Sequence, residues 1–262
     1  PGSGNHYVGM GREIGVRWPH ILRRMDAGTG RLKTQILPEC YMPWRTDWRT
    51  GWETEALEKI VSDPLHMIFG QVVHGGLMAE LIRDFGVSPD AVIGYSLGES
   101  AGYFATGAWP ERGEMLRRMR ETDLFTTQLA GPCRAARKAW GIAPDAPFDW
   151  RVAVVNRPAA AVREALPAWP LARLLIVNTP AECVVGGEAG QVAGLIRDLK
   201  CDAFHLDGVV TVHCDAAEPA AGAYRDLHLF PTHPPDAIRY YSCPKGRAHD
   251  LTMDSAADSI LM

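Results

Sequence analysis

Ser96 stands in Gly94-Tyr95-Ser96-Leu97-Gly98, a G-x-S-x-G run that follows the apolar stretch Ala91-Val92-Ile93 and opens a helix-compatible segment. A serine on a sharp strand-to-helix turn holds a strained backbone that only small neighbours tolerate, and its hydroxyl then projects above the sheet. The N–H of Leu97, at the start of the helix, points the same way and can stabilise an oxyanion. The chemistry this predicts is nucleophilic attack on a carbonyl. The competing reading is a glycine-rich turn with an incidental serine; the strand before it and the helix after it are what favour the nucleophile.

A serine nucleophile needs a base. Nine histidines are available. His213, in Thr211-Val212-His213-Cys214-Asp215, follows the apolar run Gly208–Val212 and precedes a small-residue segment ending at Pro219, which places it at the end of a strand. Its bland alternative is a buried structural histidine. His205 falls within a strand, His66 and His74 read as helix packing residues, and His20, His228, His233 and His249 lie in loop-like surroundings. No histidine pair has H-E-x-x-H spacing, and no metal site is expected. The six cysteines (Cys40, Cys133, Cys183, Cys201, Cys214, Cys243) are scattered without a C-x-x-C, which predicts reduced thiols.

The elements that must position these residues follow from periodicity. Residues 1–60 are loop-rich, with a short helix at "RWPHILRRM" and an irregular surface segment at "MPWRTDWRTGW". From Pro64 to Phe85 apolar residues recur at spacings of three and four, predicting a helix that "GVSPD" ends. Ala91–Gly94 suits a buried parallel strand, and helices follow over residues 97–106 and 111–125. From residue 148 to 206 the order is β-α-β-β-α-β, the split pattern of ferredoxin-like folds. The fold class expected is therefore α/β. An α/β-hydrolase-like core over residues 1–147 and 207–262 carries an inserted ferredoxin-like small subdomain at 148–206, with a cleft between the lobes.

The 262 residues suffice for such a domain, and 47% apolar content is ordinary. Net charge is −4 without a long basic run, so nothing supports nucleic-acid binding. No apolar run reads as long enough to span a bilayer and no N-terminal segment reads as a signal peptide, giving a cytoplasmic expectation without a membrane partner. The chain opens inside a turn-like segment and stops within helix-like "ADSILM", so it reads as a C-terminally truncated piece of something longer.

Four places, in order, resemble the acyltransferase domains of fatty acid and polyketide synthases, including malonyl-CoA:acyl-carrier-protein transacylase. "PGSG…VGMG" is similar to that family's PGQGxQ…GM opening, and "GYSLGES" to its GHSxGE elbow. "VNTPAECVVGG" is similar to its N-S-P-x-x-x-V-x-x-G stretch, and "VHCDAAEP" to its FHSxxMxP segment. The Gly-Tyr-Ser variant looks closest to polyunsaturated fatty acid synthases and enediyne-type polyketide synthases.

The resemblance implies roles. Ser96 would attack an acyl-CoA thioester and His213 would take its proton, then activate the phosphopantetheine thiol of an acyl carrier protein. Backbone N–H groups of Ser3 and Leu97 would form the oxyanion hole. Asn178 matches a family asparagine near the active site, its plain alternative being to cap the turn at Pro180. Among Arg117, Arg118 and Arg120, the helix phase and the family position favour Arg120 to pair with a malonyl carboxylate, although all three would also serve as solvated surface charges. Asp215 is too close in sequence to His213 to be favoured as its orienter. Coenzyme A enters as substrate and no cofactor is bound; neighbouring synthase domains are expected partners. Tyr95 in place of histidine, the lack of a clear match for the family's glutamine near Met67 or Gln71, and "VTVH" before the base leave the acyl group open. A serine thioesterase with the same Ser-His pair and a non-catalytic synthase domain are the alternatives.

Overall fold

The computed structural model describes residues 2, 4–29, 32–36, 41 and 48–261. It divides into two compact units, Pro1–Thr122 with Tyr224–Met262, and Asp123–Ala223. The expected irregular segment "MPWRTDWRTGW" lies mostly outside the described residues.

In the first unit, "RWPHILRRM" is continuous with two helices, α1 (Arg12–Arg17) and α2 (Pro19–Thr29), followed by α3 (Lys33–Ile36) and α4 (Trp52–Val61). The predicted long helix is α5 (Pro64–Asp84). Asp63 caps it by accepting the Leu65 N–H at 2.8 Å, and Pro64 at the first helical position loses no hydrogen bond that the helix could have used. At 21 residues with a hydropathy of 1.3, α5 is long and apolar enough to cross a bilayer, contrary to the sequence reading. It is instead largely a core helix, with 61% of that window buried, including the polar Gln71 and His74.

Strand β1 (Ala91–Ile93) leads through Ser96 into α6 (Leu97–Thr106), and α7 (Arg112–Glu121) follows. The helix expected over residues 111–125 stops at Glu121, and a π-helical turn (Leu124–Gln128) begins the second unit. β1 pairs in parallel with β6 (Arg239–Ser242), which pairs antiparallel with β7 (Arg247–His249). The expected burial of β1 does not hold: Ile93 is 72% exposed, because β1 is the edge of this sheet and has one strand neighbour among the described residues. The core between α6, α7 and the segment before β6 is aromatic, with Trp109 lying 5.0 Å from Tyr103, 5.4 Å from Phe104 and 5.5 Å from Phe230.

The second unit opens with the π-turn and α8 (Arg134–Trp140), then runs β2 (Trp150–Val155), α9 (Ala159–Ala165), β3 (Ala172–Thr179), β4 (Glu182–Glu188), α10 (Ala189–Leu199) and β5 (Ala203–Leu206). β2 to β5, α9 and α10 lie where the hydrophobic pattern put them; the π-turn and α8 were not marked by it. The sheet order is β3-β4-β2-β5, antiparallel throughout. Val155, Val185 and Ala153 from the sheet and Val162, Val192 and Leu195 from the two helices are completely buried together.

Gly208–Val212 forms no strand, so His213 does not end one; a 3-10 helix (Asp215–Ala220) and α11 (Ala221–His228) follow it. Nor do the other histidines all lie in loops: His20 is in α2, His228 ends α11 and His249 is in β7. α12 (Met253–Leu261) follows β7. The mixture of helices with a parallel β1–β6 pair and a separate antiparallel sheet is of the α/β class expected.

Candidate active site

The backbone of Ser96 has φ 51° and ψ −120°, a conformation that L-residues rarely adopt. The glycine before it makes this turn sterically feasible. A Cβ on Gly94 would lie 2.1 Å from the Glu99 nitrogen and 2.2 Å from the Gly98 carbonyl carbon. The helix therefore starts immediately over the end of the strand. The Gly98 N–H donates to the Tyr95 carbonyl at 2.8 Å and the Glu99 N–H to the Ser96 carbonyl at 3.0 Å, so Ser96 is the N-cap of α6. Ser96 and Leu97 are half-buried, and the Tyr95 side chain is exposed.

Glu99, in the first turn of α6, is 3% exposed. Its carboxylate accepts the Cys243 N–H at 2.9 Å and the Ser259 hydroxyl at 2.6 Å, with Tyr103 Oη at 3.5 Å. Ser259 and Ser242 share a further hydroxyl contact at 2.5 Å. Burial pushes the carboxyl above the usual carboxylate range, and the hydrogen bonds from Ser259, Cys243 and Tyr103 oppose that. The Cys243 thiol donates to the Gly94 carbonyl at 2.7 Å, so the β6–β7 turn holds both sides of the serine turn.

The three arginines of α7 have different surroundings. Arg117 is exposed and pairs with Glu114 and Glu121. Arg118 is half-buried, bonds Glu114 Oε1 at 2.9 Å and the Leu229 carbonyl at 2.9 Å, and lies 4.3 Å over the Phe230 ring. Arg120 is exposed, and among the described residues no hydrogen bond or ion pair engages it. Met115, Leu116 and Met119 form the buried face, as the helix phase requires.

Near the N-terminus Ser3 lies outside the described residues. The following "GMG" does not. Gly9 and Gly11 have φ of 87° and 79°, and Met10 is buried with its sulfur 3.6 Å from Gln71 Nε2 on α5. The His74 ring lies so close to Gly11 that a Cβ there would be 2.5 Å from it.

In the second unit, His213 is half-buried with φ 63°, and burial lowers its imidazole below the ordinary histidine range. Two residues before it the Thr211 N–H donates to the Leu129 carbonyl at 2.7 Å. Two residues after it both Asp215 oxygens accept from Arg173, at 2.7 and 2.9 Å. Asn178, on β3, is exposed and donates to Glu182 Oε1 at 2.8 Å across the turn to β4. Ser96, Leu97 and Arg120 thus belong to the first unit and His213 and Asn178 to the second. Among the described residues no group of three or more His, Cys, Asp or Glu side chains is gathered as a metal site. Sequence reasoning missed Cys243, Ser259 and Arg173, whose partners are distant in sequence; Glu99 alone had a local signal, its place three residues after Ser96.

No family model matches the chain. Orsellinic acid synthase of Beauveria bassiana is 25% identical over 251 residues, 88% of this chain and 10% of that protein. The chain thus spans about a tenth of that relative's length. Among solved structures, the acyltransferase domain from the second module of the salinomycin polyketide synthase superposes with a TM-score of 0.69 at 17% identity, covering 99% of this chain and 55% of that one. An acyl-carrier-protein S-malonyltransferase from Bartonella henselae gives 0.68 at 15% identity, covering 100% of this chain and 77% of that one. The chain therefore has the α/β fold of these acyltransferases over nearly its whole length, and its sequence resembles polyketide synthases.

Proposed function

We propose that the protein is the acyltransferase domain of a synthase, moving an acyl group, malonyl being the expected one, from coenzyme A to the phosphopantetheine thiol of an acyl carrier protein. The observation that carries this reading is the strained Ser96 turn, φ 51°, closed by Gly94 at the junction of β1 and α6. Backbone strain of this kind persists where the surroundings enforce it, and here Glu99 and Cys243 do so.

In the proposed reaction Ser96 Oγ attacks the thioester carbonyl as its proton passes to the His213 imidazole. The N–H groups of Leu97 and Ser3 hold the oxyanion. Collapse breaks the C–S bond, and the imidazolium returns the proton to the departing CoA thiolate, leaving acyl-Ser96. The carrier thiol then gives His213 its proton and attacks the ester. Collapse breaks the C–O bond, and Ser96 regains the proton. The lowered histidine pKa suits this role, because a base must be neutral at working pH.

Arg120, exposed and with no hydrogen bond or ion pair among the described residues, supplies a cation for the malonyl carboxylate, and Asn178 is a substrate-side residue in the same reading. The organisation into a hydrolase-like core and a ferredoxin-like small subdomain at 148–206 belongs to it, as do a cytoplasmic setting and neighbouring synthase domains as partners. The β3-β4-β2-β5 order supports the ferredoxin-like part.

The test is transfer to a phosphopantetheinylated carrier protein from malonyl-CoA and from acetyl-CoA. Malonyl transfer that exceeds acetyl transfer, with the preference lost in Arg120→Ala, supports the reading. Release of free CoA without loading of the carrier makes the protein a hydrolase.

A further inference from the structure

The Arg173–Asp215 fork lies two residues beyond His213; its Arg173 side chain is mostly covered, 28% exposed, while Asp215 is 53% exposed. Arg173 Nε meets Asp215 Oδ1 at 2.7 Å and Nη2 meets Oδ2 at 2.9 Å, the parallel geometry that fixes orientation as well as distance. Its remaining nitrogen, Nη1, donates to the Pro170 and Ala172 carbonyls at 2.7 and 2.8 Å. The guanidinium lies 5.1 Å over the Trp140 ring, which stacks on Trp150 at 5.9 Å. An arginine already held by two backbone carbonyls and an indole face loses little further freedom when it grips a carboxylate.

What it grips begins the 3-10 helix Asp215–Ala220, whose Ala216 is completely buried with Cys133 and Ala136 of the α8 region. On the other side of His213, Thr211 is completely buried and bonded to Leu129. The histidine is therefore strung between two anchors, with a left-handed φ of 63° that a non-glycine residue adopts only under constraint. The carboxylate most obviously available to orient the imidazole is spent on the guanidinium, so its effect on His213 runs through the backbone.

We propose that Arg173 and Asp215 are a positioning pair that holds the His213 loop in its strained conformation, deepening the reading of His213 as the base and resting on it. In this proposal the pair acts through the His213 backbone and not on the reacting groups. Their removal changes where the imidazole is presented, not whether substrate binds.

The experiment compares Arg173→Ala, Asp215→Ala and the double variant with the wild-type protein. Three readouts are taken: the urea midpoint, kcat and KM for acyl transfer, and the rate at which diethyl pyrocarbonate modifies His213, followed by peptide mass. Each single variant is expected to lower kcat about tenfold with KM unchanged and to change the His213 modification rate severalfold. Because the pair acts as one unit, the double variant is expected to be no worse than the weaker single one. Overturning results are single variants with wild-type kcat and modification rate, or losses that track the unfolded fraction read from urea, or multiplicative losses in the double variant. If the wild-type protein transfers no acyl group, the functional reading fails, while the modification rate still decides whether the pair positions His213.

Discussion

The backbone N–H of Cys243 donates to Glu99 Oε1 at 2.9 Å across 144 positions of sequence, tying the β6–β7 turn to the helical turn that begins at Ser96. With Ser259 on α12 bonding the other oxygen at 2.6 Å, one buried carboxylate joins three segments of the first unit.

Replacing that carboxylate should be costly in proportion to what is left unpaired. Glu99→Ala removes the acceptor of the Cys243 N–H and one partner of the buried Ser259 hydroxyl, which keeps its contact with Ser242, at about 1–3 kcal/mol in all. Glu99→Gln keeps an acceptor for Cys243 and lets Ser259 turn to accept, so its loss should be about 1 kcal/mol. Urea denaturation of the two variants measures the difference. An alanine variant as stable as the glutamine variant would mean that the carboxylate is not the hub.

Gly94→Ala should be the most damaging single methyl in the molecule's serine turn. The added carbon would meet backbone atoms at 2.1 and 2.2 Å, and neither can move without displacing the start of α6. A loss on the order of 3 kcal/mol is expected, accompanied by loss of acyl transfer. A variant with wild-type stability and turnover would show that β1 and α6 can separate at this point.

The arginines of α7 separate structural from functional charge. Arg118→Ala removes a bond to the Leu229 carbonyl just past α11 and a cation over Phe230, and should cost about 2 kcal/mol in denaturant titrations. Arg117→Ala should leave stability and transfer near wild type, since its ion pairs are exposed. Arg120→Ala should leave stability unchanged while lowering malonyl transfer at least tenfold and sparing acetyl transfer. Equal losses with both donors would remove Arg120 from the substrate site.

The separation of these arginines was only partly legible in the sequence. Helix phase correctly marked Met115, Leu116 and Met119 as buried, but nothing local shows that Arg118 reaches carbonyls more than a hundred positions away. The same contrast runs through the chain. The Ser96 turn and β2 to β5 were readable because glycine sterics and alternating apolar residues act within a few positions. The strand expected before His213 was not there, because the Thr211 N–H pairs with the Leu129 carbonyl of a turn and His213 takes a left-handed backbone. β1 carries a strand's apolar run, yet its edge position leaves Ile93 exposed.

His228 makes stability depend on pH. It is buried against Tyr224 and Trp109, donates from Nδ1 to the Tyr224 carbonyl at 2.8 Å, and burial lowers its pKa to about 4. The folded value lies below the unfolded one of about 6.5, so the unfolded chain takes up the proton first as pH falls. This contribution, about 3 kcal/mol, is fully present above pH ~6.5, declines between there and pH ~4, and is then exhausted. His228→Gln has no such proton to take up. Its stability gap to the wild-type protein should narrow across that window in urea titrations, and a constant gap would mean that His228 protonates without penalty.

Whether Ser96 carries the acyl group is decided by intact-protein mass spectrometry after incubation with malonyl-CoA. One malonyl adduct is expected on the wild-type protein, mapped to the peptide containing Ser96 and absent from Ser96→Ala. An adduct that persists in Ser96→Ala, or that maps to another residue, would contradict it.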